Sequence, residues 1–401
     1  MELLVKIAFI TTSFKPEPGG IAELCWHLCR QFGRRGHDVH VVTLIARGGG
    51  EPCSDEPFSV ARVFTLSRRS TVRSPADWWI VRRWKRGVIR QIVQAVRAFG
   101  PDLVLTGTYS TPTTAPVLRQ LGLPYCMFLH GGEVHSILSS PVPLRRRILV
   151  RTIRRARHVF CNSSFTAALA RKISGCTAEQ VSAVGCGLPV EQIIESPRRA
   201  AARAQLGWDD RPVLLTVARL VYNKGIDTVI QALPDIRSRC PGCRYIVCGE
   251  GPCREELGSL VARLGLQGQV ELPGYVSEQH KRLLYEAADL FVMTSKPGRL
   301  REIEGFGIVF LEANAAGLAV VGARTGGIPD AVEDGVNGLL VEPDCPPALA
   351  AAVTSLLEDP ARRAAMARAG QERIRQRLNW PAIAADMESF MADGPDRGRA
   401  C

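Results

Sequence analysis

The chain has 401 residues, of which 46% are hydrophobic and 22% charged, and a formal net charge of +12 at neutral pH. These values suit two or three globular domains and exclude a disordered, collagenous or low-complexity chain. No apolar run reaches the roughly 20 residues that a membrane-spanning helix needs. Thirteen cysteines without a secretory leader give free thiols in a reducing cytoplasm as the expectation.

In chain order, Lys6–Thr11 reads as a first buried strand rather than part of a leader peptide. Gly19-Gly20 closes the following loop and opens a helical pattern over Ile21–Phe32. Further strand runs stand at Val39–Leu44, Leu103–Thr106, Cys126–Leu129 and Val159–Asn162, with helical patterns between them. The basic stretch Pro197–Arg203 reads as a linker. A second series follows at Val213–Ala218, Arg244–Cys248, Val270–Leu272, Leu290–Thr294, Ala319–Gly322 and Gly338–Val341. A long helical pattern runs from Pro360 to Leu378, and after Asn379-Trp380-Pro381 a last helix extends to about Met391. Strands alternating with helices predict an α/β fold of two doubly wound parallel sheets. The expected domains are 1–196 and 204–380. Residues 1–200 carry 28 Lys and Arg against 13 Asp and Glu, a net of +15, whereas the rest of the chain nets −3. The basic half should face an anionic partner: a membrane surface, a nucleic acid or an acidic substrate.

Two stretches of the second half carry the chemistry. Arg219 and Lys224, with Gly225, follow the strand run Val213–Ala218, at the carboxyl end where ligands bind in open α/β sheets. A bidentate guanidinium plus a point-charge ammonium suits a diphosphate. Glu304 and Glu312 are eight residues apart, which on one continuous helix is roughly an 80° offset. Gly305 and Gly307 instead put Glu304 in a loop and Glu312 inside the next helix, with Gly317 closing that helix. The first amides of the helix, from Phe306, Gly307 and Ile308, would then face the same pocket as the carboxylates. Gly19 and Gly20 allow close approach of backbone to a ligand, although alone they read first as a plain strand-to-helix turn. His130 precedes Gly131-Gly132 at a strand end, where it is either a site residue or a structural histidine.

The motifs Arg-Leu-x3-Lys-Gly at Arg219–Gly225 and Glu-x7-Glu at Glu304–Glu312, with Gly19-Gly20 and Gly326-Gly327-Ile328-Pro329, resemble the retaining glycosyltransferases of family 4. The resemblance covers nearly the whole chain. It implies the GT-B fold, in which two Rossmann-like domains face each other across a cleft: the first takes the acceptor, the second the nucleotide-sugar donor, and the C-terminal helix, 381–401 here, packs back on the first. It implies that Arg219 and Lys224 hold the donor phosphates, Glu304 the sugar hydroxyls, Glu312 the ribose, and that His130 contacts the donor sugar. Gly19, Gly20, Gly225, Phe306, Gly307 and Ile308 join the donor site. Asp330 stands where the family usually has Glu. A hexose would move from a nucleotide diphosphate to a lipid-linked or glycan acceptor, with retention and with no metal or other cofactor. The segment Lys296–Ile303 resembles that of GDP-mannose-dependent enzymes acting on phosphatidylinositol lipids.

Other features fit either function or plain packing. The basic, tryptophan-rich stretch Trp78–Arg86 and the arginine-rich Leu144–Val159 suit an anionic membrane interface, or are core-packed helices with solvated faces. Cys240-Pro241-Gly242-Cys243 is half of a zinc spacing without its partner. A cytoplasmic enzyme, peripheral on the inner face of the membrane, is therefore expected. The alternative is a basic membrane- or nucleic-acid-binding scaffold on a decayed fold of the same kind, which the intact Arg219, Lys224, Glu304 and Glu312 oppose. No nucleic-acid motif stands out. A phosphorylase-like relative lacks an obvious cofactor lysine. The loops Ala46–Val60 and Ser70–Asp77 carry no decodable acceptor code.

Overall fold

A computed structural model describes residues 4–17, 19–44, 56–63, 75–195, 199–298 and 302–392, with 75–84 and 392 described by backbone alone. The chain divides into two compact units: Met1–Val184 with Trp380–Cys401, and Gly185–Asn379.

The first unit is built on seven strands: β1 (Lys6–Ile10), β2 (Asp38–Leu44), β3 (Ser59–Val63), β4 (Leu103–Thr106), β5 (Tyr125–Leu129), β6 (His158–Cys161) and β7 (Val181–Ala183). Their order is β3-β2-β1-β4-β5-β6-β7, and every pairing is parallel. All residues of β4 and β6 are buried. A parallel sheet is covered on both faces, so its inner strands read as continuous apolar runs. The helix Trp380–Ala392 belongs to this unit. Its Phe390 ring stacks on His158 of β6, its Glu388 pairs with Arg35 and His37, and Trp380 stacks on His27.

The second unit has six parallel strands: β8 (Val213–Val217), β9 (Arg244–Cys248), β10 (Val270–Gly274), β11 (Leu290–Met293), β12 (Ala319–Ala323) and β13 (Gly338–Val341). Their order is β10-β9-β8-β11-β12-β13. Its core packs Leu214, Tyr245, Val247 and Val292 of the sheet against Val229 and Leu233 of the helix Ile226–Arg239. In both sheets the winding direction reverses, between β1 and β4 and between β8 and β11. Such a reversal opens a crevice outside the carboxyl ends of the two strands.

Three expectations need correction. Of the linker expected at Pro197–Arg203, the part from Arg199 on is instead helical: Arg199–Leu206 is a helix of the second unit, and Arg203 is buried there, donating to the carbonyls of Ala287 and Asp209 and to the Asp289 carboxylate; 197–198 lie outside the described residues. The chain passes from the first unit to the second at Val184/Gly185 rather than between 196 and 204, whereas its return at Asn379/Trp380 falls within a residue of the expected 380/381. Ala46–Val60 is not wholly a loop, because β3 begins at Ser59; its residues up to Asp55 lie outside the described ones, as do 64–74. Among the described residues, no helix is long and apolar enough to cross a membrane.

Candidate functional site

The crevice of the second sheet is built by the loops that leave β8 and β11. After β8 the chain buries Leu220 completely. The Leu220 amide donates to the Glu250 carbonyl (2.9 Å) and its carbonyl accepts from the Cys253 amide (3.0 Å). This anchor leaves the preceding Arg219 exposed, with no ion pair among the described residues. A single turn, Tyr222–Lys224, follows and ends in Gly225 at φ 65°. A Cβ at Gly225 would lie 1.9 Å from the Thr294 carbonyl oxygen. Only glycine permits that approach, and the Thr294 hydroxyl donates back to the Gly225 carbonyl at 3.0 Å. The β8 loop is thereby pressed against the end of β11.

That contact brings Lys224 to Glu304. The Lys224 ammonium pairs directly with Glu304 Oε2, and the two side chains are 17% and 14% exposed. The Ser295 hydroxyl donates to the same oxygen at 3.4 Å. The Glu304 backbone is held from behind, its carbonyl accepting from the Gly327 amide at 2.9 Å. Gly326 sits at φ 56°, and a Cβ there would fall 2.3 Å from that carbonyl oxygen. The Gly326-Gly327-Ile328-Pro329 stretch thus backs Glu304, with Asp330 in the short helix Ile328–Ala331.

Glu304 does lie in a loop, and Glu312 in the helix Ile308–Ala315, which Gly307 caps. The Phe306 side chain is buried at 3% exposure, so only its backbone is available to a ligand. The amides that open a helix lack intrahelical partners and favour anions. Glu312 accepts from the Tyr285 hydroxyl at 3.0 Å and lies 3.6 Å from the Lys281 ammonium, which also pairs with Glu278 at 2.8 Å. Burial, and then the Glu312 charge, push the Tyr285 phenol well above its ordinary value, so it remains a donor. Burial opposes the Lys281 charge, but Glu312 and Glu278 outweigh it and raise the pKa.

The remaining predicted site residues stand in the first unit, also at carboxyl ends of strands. His130 follows β5. Its Nε2 lies 2.7 Å from the Gly107 carbonyl, an acceptor, so in the neutral ring Nε2 carries the proton and Nδ1 the lone pair. The His130 amide donates to Glu133 at 2.6 Å and its carbonyl accepts from Asn162 at 3.1 Å. Gly19 caps the helix Gly20–Arg34, and a Cβ at either glycine would meet no atom within 4 Å. Across the first crevice, the Thr12 amide donates to the Thr108 hydroxyl at 2.9 Å.

Lys224 and Glu304 are therefore in contact, Arg219 shares the Lys224 loop, and Glu312 rides on the helix that the Glu304 loop opens. Lys281, Tyr285 and Ser295 were not foreseen. They reach the carboxylates through tertiary contacts that no local motif marks. Cys243 and Cys248 are buried, and burial pushes both thiols up to about 12. Among the described residues no group of His, Cys, Asp and Glu is arranged to hold a metal ion.

Known proteins bear on this geometry. The family described as Glycosyltransferase Family 4 matches residues 18–192, and Glycosyl transferases group 1 matches residues 198–373. The GDP-mannose-dependent alpha-(1-6)-phosphatidylinositol monomannoside mannosyltransferase of Mycobacterium tuberculosis is 30% identical over 98% of this chain and 100% of its own. The Mycolicibacterium smegmatis enzyme of the same name is 32% identical over 96% of this chain and 97% of its own. Among solved structures, Anabaena HepE in complex with UDP and glucose superposes with a TM-score of 0.75 at 24% identity, covering 97% of this chain and all of that one. Sucrose-phosphate synthase from Thermosynechococcus elongatus gives 0.77 at 23% identity, covering 96% of this chain and 98% of that one. The chain belongs to glycosyltransferase family 4, with the two-domain GT-B fold, and is a glycosyltransferase that moves a hexose from a nucleotide sugar.

Proposed function

We propose that the chain is a retaining mannosyltransferase that uses GDP-mannose and glycosylates a phosphatidylinositol-type lipid at the inner face of a membrane. The observation that carries the donor half of this reading is the Lys224–Glu304 contact at the crevice of the second sheet. An ammonium and a carboxylate held side by side suit the two parts of a sugar diphosphate that flank its breaking bond. Lys224 and the exposed Arg219 neutralise the diphosphate, aided by the amides that open the helix Ile308–Ala315. Glu304 accepts hydrogen bonds from sugar hydroxyls. Glu312, oriented by Tyr285 and Lys281, accepts from the ribose diol. The mannose identity rests on the names of the Mycobacterium and Mycolicibacterium relatives.

Retention follows from front-face displacement. The acceptor oxygen forms a bond to the anomeric carbon while the bond from that carbon to the phosphate oxygen breaks, and the acceptor proton passes to the departing phosphate. Charge grows on the phosphate, where Arg219 and Lys224 stabilise it, so no divalent ion is required and a chelator leaves the rate unchanged. The family resemblance adds His130, Gly19 and Gly20, all residues of the first unit, to the donor-binding set.

The lipid half of the reading is supported by the helix Pro143–Arg155. Leu149 and Ile153 are fully buried in the core, whereas Val142 and Leu144 are 44% and 60% exposed beside the exposed Arg145, Arg146 and Arg147. Apolar side chains ringed by arginines fit an anionic bilayer surface. In the helix Pro75–Phe99, Val88, Ile92 and Val96 are buried, while the side chains of Trp78–Trp84 lie outside the described ones.

A panel of GDP-mannose, UDP-glucose and other nucleotide sugars, read by thermal shift and by transfer to phosphatidylinositol monomannoside, tests the proposal. GDP-mannose should give the largest shift and support transfer. No shift with any member would overturn the donor reading, and a larger shift with another sugar nucleotide would overturn the choice of mannose. Co-sedimentation with phosphatidylglycerol vesicles that survives Leu144→Glu combined with Arg146→Glu would overturn the membrane surface.

A further inference from the structure

Beyond β11 stands a lysine that the reading above does not use. The Lys296 side chain is only 4% exposed, yet it is charged and sits among charges. Its ammonium lies 2.7 Å from Asp227 Oδ2 and 2.8 Å from Asp344 Oδ1, and 4.5 Å from the centre of the Tyr222 ring. Its backbone amide donates to the Asn223 carbonyl at 2.9 Å. Asp344 is held at φ 56°, a conformation rare for a residue with a side chain, and also accepts from the Thr228 hydroxyl at 3.1 Å. Three segments therefore meet on one ammonium: the turn Tyr222–Lys224 with the start of the helix Ile226–Arg239, the chain leaving β11, and the loop after β13.

We propose that Lys296 is a positioning residue for the donor site, clamping the turn that carries Lys224 to the strand end that carries Ser295, and so setting the distance between Lys224 and Glu304. This rests on the reading that Lys224 binds the donor diphosphate. The spacing supports it: Lys296 follows Ser295, whose hydroxyl reaches Glu304, and its amide holds Asn223, which precedes Lys224. A single ammonium also bridges two carboxylates, of which Asp227 is 27% and Asp344 57% exposed, and among the described residues no second cation pairs with either. Burial opposes the Lys296 charge, but hydrogen bonds from the ammonium to Asp227 and Asp344 raise its pKa, so the clamp stays closed at neutral pH.

A clamp that acts through Lys224 must show itself on the distal phosphate. The test is the affinity of Lys296→Met, against the unaltered chain, for GDP and GMP and for UDP and UMP by calorimetry, with Lys224→Met in parallel. The preference for the diphosphate over the monophosphate should fall about tenfold in Lys296→Met, the equivalent of about 1.4 kcal/mol, and fall further in Lys224→Met, where only Arg219 and the helix amides remain to hold the second phosphate. Affinity for the monophosphate should change less than about twofold, a factor within the usual scatter between context-dependent contacts. A Lys296→Met chain that keeps the preference, or weakens both ligands equally, overturns the clamp while leaving the donor reading intact. A Lys224→Met chain that keeps the preference overturns the donor reading and the clamp with it. If Lys296→Met fails to fold, Asp344→Asn carries the same comparison, because Asn tolerates the left-handed backbone and removes one leg of the clamp.

Discussion

The Lys224–Glu304 pair separates chemistry from stability when each partner is neutralised alone and together. Lys224→Met removes the ammonium and keeps most of the stem; Glu304→Gln removes the charge and keeps the shape. Exposed ion pairs contribute about 0–1 kcal/mol, and orphaning one charge of a fully buried pair costs about 3–5 kcal/mol. With side chains 17% and 14% exposed, this pair lies between those limits, so each single change should cost about 1–3 kcal/mol. The double variant leaves no orphaned charge. It should be more stable than the sum of the singles predicts, by about 1 kcal/mol, within the range for residues in contact. Denaturation by urea, followed by circular dichroism, measures this.

Activity should behave differently. On the proposed mechanism Lys224 faces charge that grows in the transition state, and removing one such preorganised donor costs roughly 100- to 1,000-fold in rate. Relieving Glu304 of its orphaned charge does not replace the lost cation. The double variant should therefore recover stability but not kcat/KM with GDP-mannose. Additivity within about 0.3 kcal/mol would refute the contact. Turnover of Lys224→Met within threefold of the unaltered chain would refute the electrostatic role, whatever the stability cycle shows.

Three further outcomes follow from the geometry. Gly225→Ala puts a methyl group 1.9 Å from the Thr294 carbonyl at φ 65°; the β8 loop must shift, and binding of GDP should fall at least tenfold, with a stability loss of about 2 kcal/mol or more by thermal melting. Tyr285→Phe removes the hydroxyl that orients Glu312, which should cost about 1–2 kcal/mol of nucleotide affinity; the loss should be larger for GDP than for the 2′,3′-dideoxy analogue, and an equal loss for both would detach Glu312 from the ribose. Burial lowers the pKa of His158 and of His27 from 6.5 to about 4. Both rings are therefore neutral when folded, and their contribution is present above pH 6.5 and lost as the pH falls toward 4. The melting temperature of the first unit should drop across that window and drop less in His158→Gln; a flat profile would contradict the buried neutral rings.

The inner strands of both sheets were legible because a strand covered on both faces is written as an unbroken apolar run. The edges were not. Ser59–Val63 is half-exposed and carries Arg62, and Val181–Ala183 is three residues long, so neither has a run to read. The misread linker has a similar cause. Arg203 looks solvated by composition, but its guanidinium is spent on the Ala287, Asp209 and Arg211 carbonyls and on Asp289, partners as much as 86 residues distant. The carboxylates were legible through the glycines around them. Their supports were not: Tyr285 lies 27 residues from Glu312, and its neighbours on the helix Glu278–Ala287 give no sign that one hydroxyl faces a site.

What makes the glycine pattern readable is that it records contacts between loops. Gly225 lets the β8 loop touch the Thr294 carbonyl, and Gly326 lets the loop after β12 touch the Glu304 carbonyl. Each contact is backbone against backbone, with no flexible side chain between, so Lys224 and Glu304 are set by main-chain packing rather than by rotamers of distant groups. Lys296 adds the electrostatic fastening that packing alone does not supply, because it joins two like charges, Asp227 in the first turn of the helix Ile226–Arg239 and Asp344 in the loop after β13. A displacement of about 1 Å at a reacting group can cost about 100-fold in rate. The two glycines and the buried lysine should therefore affect turnover by more than their effect on folding.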